Sequence, residues 1–336
     1  MRVGLHALGI GDGARPEVIR SVATAAETHG FARLWCGEHV VLVDAPASRY
    51  PYSADGRIAV PADADWLDPL LALSFAAAVT GRIGLGTGVL LLPEHNPVVI
   101  AKQAATLDVL SAGRFSLGVG VGWSAEEFAA LGVPFAGRGR RTEEYLSAMR
   151  TLWTEDPASF AGEFTRFDAI RVNPKPLRGG RLPIVVGGNS DTALRRAVTL
   201  ADGWYGFNVP AADVPSRVAA LADECARHGR AFDELTVAVA VCGGTPAPPP
   251  APAPAGGPQN LVRGAPPAPR GRPPARPQPV LSGGRAAPAP PTPEHLPALA
   301  AAGVTELVVL GAPPSTPDAA ATWVAELAQV WIDGTN

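Results

Sequence analysis

The chain has 336 residues, 47% of them hydrophobic and 18% charged, with a formal net charge of −3. A chain of that length can bury roughly three quarters of its unfolded surface, and its near-balanced charge offers no footprint for nucleic acid. The longest apolar run, residues 67–79, is too short to span a bilayer. The N-terminus shows no signal-peptide pattern, and Cys36, Cys225 and Cys242 form no CxxC pair and no closed disulfide framework. These features predict one cytoplasmic domain with neither a membrane nor a nucleic-acid partner.

Strand-like and helical patterns alternate along the chain. Residues 3–7 predict a first strand. A helix opens at Pro16, where a missing N–H does no harm, and stops at Gly30. Residues 32–36 predict the second strand. The connection 38–66 is rich in Pro, Tyr and Asp, and loops of this length are usually functional. A helix follows over 67–79, then a third strand over 83–92, interrupted by Gly84, Gly86 and Gly88. Asn96-Pro97 reads as an N-cap with proline at the first helical position, opening a helix to Leu110. The fourth strand covers 114–119, with helices over 124–131 and 138–153.

Residues 159–176 predict irregular structure with short strands. A fifth strand covers 183–186, followed by a helix to Leu200. The sixth strand is 203–207 with a helix over 215–229, and the seventh is 235–241. A short helix around 294–302, an eighth strand over 306–310 and a helix over 318–331 complete the chain. Alternating βα units predict a parallel sheet with buried strands. Eight units favour an α/β (β/α)8 TIM barrel over an open doubly wound sheet, although periodicity alone does not separate the two.

One stretch breaks the pattern. Residues 246–292 hold 17 of the 36 prolines, five arginines and no acidic residue. Proline removes donors and breaks helices, and this composition cannot bury a core. The single domain, 1–336, is therefore predicted to carry a disordered Pro/Ala/Gly/Arg-rich tract between strands seven and eight. Out-of-frame translation of GC-rich DNA would produce the same composition.

Active sites of such barrels lie at the C-terminal strand ends. Glu38-His39 places a carboxylate and an imidazole after strand two, suited either to proton transfer or to packing of the next loop. Gly86-Thr87-Gly88-Val89 bares the backbone of strand three, for a flat ligand ring or merely to relieve crowding. Gly187-Gly188-Asn189-Ser190 opens a helix after strand five, as an anion site or a plain N-cap. Gly118, Gly120 and Gly122 do not make a GxGxxG fingerprint, and Trp123 follows them. The six histidines include no HxH or HxxxH pair, so no metal is expected. No GxSxG elbow occurs, and Cys36 has no evident base beside it.

The ordered set of motifs resembles the luciferase-like monooxygenase superfamily. It comprises Leu34-Trp35-Cys36-Gly37-Glu38-His39-Val40-Val41-Leu42, Ser48-Arg49-Tyr50-Pro51-Tyr52-Ser53, Ile83-Gly84-Leu85-Gly86-Thr87-Gly88-Val89, the run from Asn96-Pro97 to Leu107-Asp108, Gly113-Arg114-Phe115, Leu117 to Trp123, Glu126-Glu127-Phe128, the run from Gly139 to Tyr145, Asn173-Pro174-Lys175-Pro176 and Gly187-Gly188-Asn189-Ser190. The similarity covers about residues 1–241 and resumes near 294. It is strongest to the branch that uses the deazaflavin coenzyme F420.

The resemblance implies a barrel that holds a deazaflavin or flavin at its C-terminal face. The ring would rest over Gly88-Val89, where a non-proline cis peptide is expected, with Trp123 nearby. Glu38 and His39 would touch the ring and handle the proton. Gly187, Gly188, Asn189 and Ser190 would hold the phosphate. Arg49, Arg138, Arg140 and Arg141 are candidates for a longer anionic tail.

Some relatives carry a catalytic glutamate just after strand four. Trp123 stands there in this chain, with Glu126 and Glu127 one turn later, which argues against their sugar-phosphate substrate and leaves the base unassigned. The expected activity is hydride transfer between a small organic substrate and F420. Two alternatives stand beside it: an FMN-dependent monooxygenase supplied by a flavin reductase, and a barrel that binds a flavin or another protein without catalysis. A homodimer is compatible with each.

Overall fold

The structure is a computed structural model and describes residues 1–53, 55–242 and 292–333. The proline-rich tract predicted over 246–292 lies outside the described residues, except for Thr292.

Strand β1 (Arg2–His6) and helix α1 (Pro16–Thr28) form the first unit, followed by β2 (Arg33–Cys36) and α2 (Pro69–Ala78). The third strand is split into β3 (Gly84–Thr87) and β4 (Leu90–Leu91), ahead of α3 (Pro97–Leu110). Next come β5 (Phe115–Gly120), α4 (Ala125–Ala130) and α5 (Arg138–Thr154). An antiparallel hairpin of β6 (Ala158–Ala161) and β7 (Arg166–Ile170) fills the stretch predicted as irregular with short strands. The remaining units are β8 (Ile184–Gly187) with α6 (Asp191–Leu200), β9 (Gly203–Phe207) with α7 (Val214–Arg227), β10 (Thr236–Cys242) with α8 (Leu296–Ala301), and β11 (Glu306–Leu310) with α9 (Pro317–Trp331).

The sheet closes in the order β1-β2-β3-β5-β8-β9-β10-β11 and back to β1, with every pair parallel. This is the eight-stranded (β/α)8 barrel, and the open-sheet alternative is excluded by the β1–β11 ladder from Arg2↔Glu306 to His6↔Leu310. Closure buries both faces of each strand, which is why the strand sequences are apolar runs rather than alternating ones.

The strand residues Leu5, Leu34, Leu85, Leu117, Val237 and Val239 pack with the helices in one large core. The inward positions Trp35, Val185, Tyr205, Ala238, Ala240 and Val308 form a second, smaller cluster. A polar layer joins it. The Trp35 indole donates to Glu306 Oε1 at 2.8 Å, and Arg33 Nε lies 3.5 Å from Glu306 Oε2.

Helix starts follow the sequence signals. Asp68, Asn96, Ser124 and Ser190 each accept a first-turn amide with their side chains, satisfying donors that the helix itself cannot.

The break in strand three shapes the barrel mouth. Gly88-Val89 is a cis peptide, as the resemblance implied. β3 pairs with β5 at Leu85↔Phe115, whereas β4 pairs with it at Leu90↔Val119. The ladder slips by one residue between them. Thr87 bridges the gap: its hydroxyl donates to Gly118 O at 2.7 Å and accepts from Gly118 N at 2.8 Å.

Candidate functional site

The C-terminal ends of β2, β3–β4, β5 and β8 converge on one mouth, and the sequence-predicted residues all lie there. They do not all face the same task.

His39 follows β2 and is mostly buried. Its Nδ1 lies 2.8 Å from Glu127 Oε2 on α4, and the Trp123 indole N–H donates to its Nε2 at 3.4 Å. An indole can only donate. The pair of contacts therefore assigns a neutral imidazole with its proton on Nδ1 and a lone pair on Nε2. Glu127 Oε1 accepts from the amides of Val40 and Val41 at 2.7 and 3.2 Å, which locks the carboxylate against the chain that carries His39. Trp66 and Trp123 stand edge-on to the imidazole, with centroids at 4.9 and 5.7 Å.

Glu38 is turned elsewhere. Its Oε2 accepts from Leu91 N at 2.6 Å, and His95 Nε2 lies 3.0 Å away. At this geometry Glu38 braces the end of β4 and the turn that follows it. Burial works against a charged His95, but the Glu38 hydrogen bond and charge outweigh it and hold His95 above its ordinary range.

A third carboxylate, Glu94, ends a single 3-10 turn (Leu92–Glu94) after β4. Burial, with the Glu127 and Glu38 charges behind it, pushes its carboxyl up to about 9. Sequence reasoning missed Glu94 and His95, and it noted Glu127 without assigning it a role. Partners 57 and 88 residues apart in the chain leave no local signal.

The glycines have mixed reasons. A Cβ on Gly86 would lie 2.7 Å from the Trp35 ring, so crowding explains that one. On Gly120 and Gly187 it would lie 2.6 and 2.9 Å from the Val89 methyls, so those two make room for the Val89 side chain. Beneath the break, a Cβ on Gly88 would lie 3.0 Å from Tyr205 Oη, and Tyr205 is hydrogen-bonded to His6 Nδ1 at 2.9 Å. Burial depresses His6 to about 4. It raises the Cys36 thiol, whose Sγ sits 3.3 Å from Leu8 O, which makes that cysteine a packing residue.

Gly187 to Ser190 lead into α6. Ser190 Oγ accepts from Ala193 N at 3.3 Å, and the Asn189 amide pairs with both backbone groups of Phe207. Both side chains thus build the loop, leaving its backbone and the helix N-terminus to face an anion. Gly188 has φ +114°, outside the range of ordinary side chains.

The arginines suggested for a tail are engaged elsewhere. Arg49 donates to Asp55 O, Arg138 to Gly122 O and Arg141 to Pro134 O, and Arg140 pairs with Glu163 at 2.6 Å. Of the two arginines on α6, Arg196 pairs with Glu143.

The long connection after β2 crosses the mouth as a strap. Ala47 N and Ser48 N donate to Glu126 Oε1 at 2.7 and 3.1 Å. Tyr50 meets Trp123 edge-on, Tyr52 meets Phe207 edge-on, and the Trp66 indole donates to Gly37 O at 3.0 Å. A small cavity of about 30 Å³ between strap and barrel is lined by His39, Glu127, Ser124 and Trp123 and by aliphatic side chains that include Val41, Ile58 and Val60.

Residues 3–243 match the luciferase-like monooxygenase family. The chain belongs to that family. An uncharacterised Mycobacterium tuberculosis protein is 38% identical over 212 residues, covering 62% of this chain and 74% of its own. A 4-hydroxyprotoasukamycin monooxygenase from Streptomyces nodosus subsp. asukaensis is 32% identical, covering 70% of this chain and 61% of its own. An F420-dependent glucose-6-phosphate dehydrogenase from Nakamurella multipartita is also 32% identical, covering 66% and 61%. The match thus spans less than two thirds of either named relative. No helix among the described residues is long and apolar enough to cross a membrane, and no group of potential metal ligands occurs among them.

Proposed function

We propose that this luciferase-like family member is an oxidoreductase that couples hydride exchange with coenzyme F420 to proton transfer at His39 Nε2. The observation that carries the reading is the His39–Glu127 pair. Glu127 fixes the proton on Nδ1 and leaves the lone pair on Nε2, where the Trp123 indole donates at 3.4 Å and a substrate hydroxyl would take its place. Bound at the mouth, the deazaflavin would supply the hydride acceptor or donor carbon. Gly88-Val89 offers bare backbone for its ring, and Gly187-Gly188 with the α6 N-terminus offers amides for its phosphate.

In this reading His39 takes the substrate hydroxyl proton as the hydride leaves, and Glu127 stabilises the imidazolium that forms. The strap excludes water. The residues lining the cavity beside His39 are apolar apart from Ser124 and Glu127 and include no cation for a phosphate, which favours a neutral organic substrate over a sugar phosphate.

A second reading, an FMN monooxygenase supplied by a reductase, is favoured by the similarity to the monooxygenase above and by the prior engagement of the four arginines. Titration with F420 and with FMN, followed by absorbance, separates the two. Binding of neither would favour a non-catalytic barrel.

A further inference from the structure

Three carboxylates meet at the strand ends, and two of them are fully supplied with donors. Glu38 holds Leu91 N and His95, and Glu127 holds His39, Val40 N and Val41 N. Glu94 holds nothing. It is 7% exposed, and neither of its oxygens has a hydrogen-bond partner. Its space is made by Gly122 at φ +72°, where a Cβ would lie 3.0 Å from Glu94 Oε1 and 2.6 Å from the Phe128 ring.

The charged groups around the turn are already committed, and Asp68, whose charge also acts on His95, accepts from Leu71 N at the start of α2. Glu38 comes from the end of β2 and Glu127 from α4. His95, next in the chain, is turned to Glu38, and His39 to Glu127. From α5, Arg138 donates to Gly122 O at 3.2 Å and lies over the Phe135 ring, and Arg141 donates to Pro134 O at 2.8 Å and lies over Phe164. Tyr145, also on α5, is neutral, and burial raises its pKa further. Neither arginine reaches a Glu94 oxygen.

We propose that Glu94 is a positioning residue that works only while uncharged: as a neutral acid it lets Glu38 and Glu127 keep their grip on His95 and His39, and its ionisation loosens both. A buried carboxylate without a donor is costly. The ionised form arises only if the Leu92–Glu94 turn parts to admit water. Leu91 and His95 flank that turn, so its movement pulls on Glu38, while the new charge repels Glu127. Burial beside two carboxylates places the transition near pH 9. The effect on turnover rests on the proposed proton transfer at His39; the protonation state of Glu94 and its effect on the two histidines do not.

The test uses wild type and Glu94→Gln without cofactor. Infrared difference spectra between neutral and alkaline solution are expected to show one protonated carboxylic carbonyl, lost with a midpoint near pH 9 and missing in E94Q. The ring nitrogens of His39 and His95, followed by NMR, are expected to shift with the same midpoint in wild type and to stay flat in E94Q. With cofactor, wild-type turnover should fall about tenfold per pH unit above the midpoint, and E94Q should lose that fall relative to its own neutral rate. Glu94→Met, neutral and of similar length, should behave as E94Q does and serves if E94Q folds poorly. Absence of the carbonyl in wild type, or histidine shifts that survive in both variants, overturns the proposal. If the spectroscopic changes appear and turnover does not follow, the assignment of His39 fails and that of Glu94 stands.

Discussion

Glu127 Oε2 stands 2.8 Å from His39 Nδ1, and this contact joins the first turn of α4 to the end of β2 across 88 residues of chain. Because Glu127 also accepts from the two amides that follow His39, it orients the ring and the backbone that carries it together.

His39→Ala is therefore expected to lower turnover by about 10²–10⁴-fold under saturating cofactor. Cofactor affinity should change far less. Stopped-flow rates and an absorbance titration on the same preparation decide it, and a variant with normal turnover would return His39 to a packing role.

Glu127→Gln keeps the shape but offers an amide N–H₂ that can turn toward Nδ1 and move the ring proton to Nε2. A reversed tautomer removes the base, so turnover is expected to fall by about 10²-fold or more with the melting temperature little changed. Equal kinetics for E127Q and wild type would show that tautomer control is not used.

His6 gives a pH dependence of stability. Its folded-state value, about 4, lies below its ordinary 6.5, because burial penalises the charged ring. The unfolded chain then binds the extra proton first. The contribution is present above pH 6.5 and is lost as pH falls toward 4. The shift corresponds to about 3 kcal/mol. Urea unfolding at pH 7 and pH 4.5 should show the loss in wild type and a smaller one in His6→Gln.

Gly188→Val forces a branched side chain to φ +114° and sets its Cβ about 3.1 Å from Ala193. Strain of this kind is worth roughly 1–3 kcal/mol. The fold should survive with a lowered melting temperature, and cofactor affinity should drop at least about tenfold because the phosphate can no longer approach the backbone. Unchanged affinity removes Gly187–Ser190 from the site.

Glu126 pins the strap through the Ser48 hydroxyl and the amides of Ser48 and Ala47, which hold its carboxyl down to about 2. A depressed carboxylate contributes above its ordinary value of 4.5 and lets go only as pH falls toward 2. The pin thus holds throughout the neutral range. Glu126→Ala should speed limited proteolysis between residues 44 and 66 while leaving the barrel resistant.

The barrel was legible because eight apolar runs, each followed by a capped helix, leave few topologies. The cis peptide at Gly88-Val89 followed from the family resemblance, and the positive φ of Gly188 accounts for a glycine at the start of α6 whatever the loop binds. The roles of carboxylates were not legible. Glu38 precedes a histidine in sequence yet binds a different one, His95, because the break after Thr87 brings Leu91 and the following turn over β2. Glu94 looks like any helix-flanking acid until its burial and lack of donors are seen. The arginines read as tail ligands each already hold a carbonyl or a carboxylate, partners that composition cannot reveal.

The strap also sets a clock. Tyr50, Tyr52 and Trp66 close over the mouth through edge-on ring contacts and a handful of amide bonds rather than a sheet ladder. On the proposed function, a flat tricyclic ligand would enter by parting these contacts. Its association rate should level off at high concentration, at the frequency with which the strap lifts, and loosening Glu126 should raise that plateau.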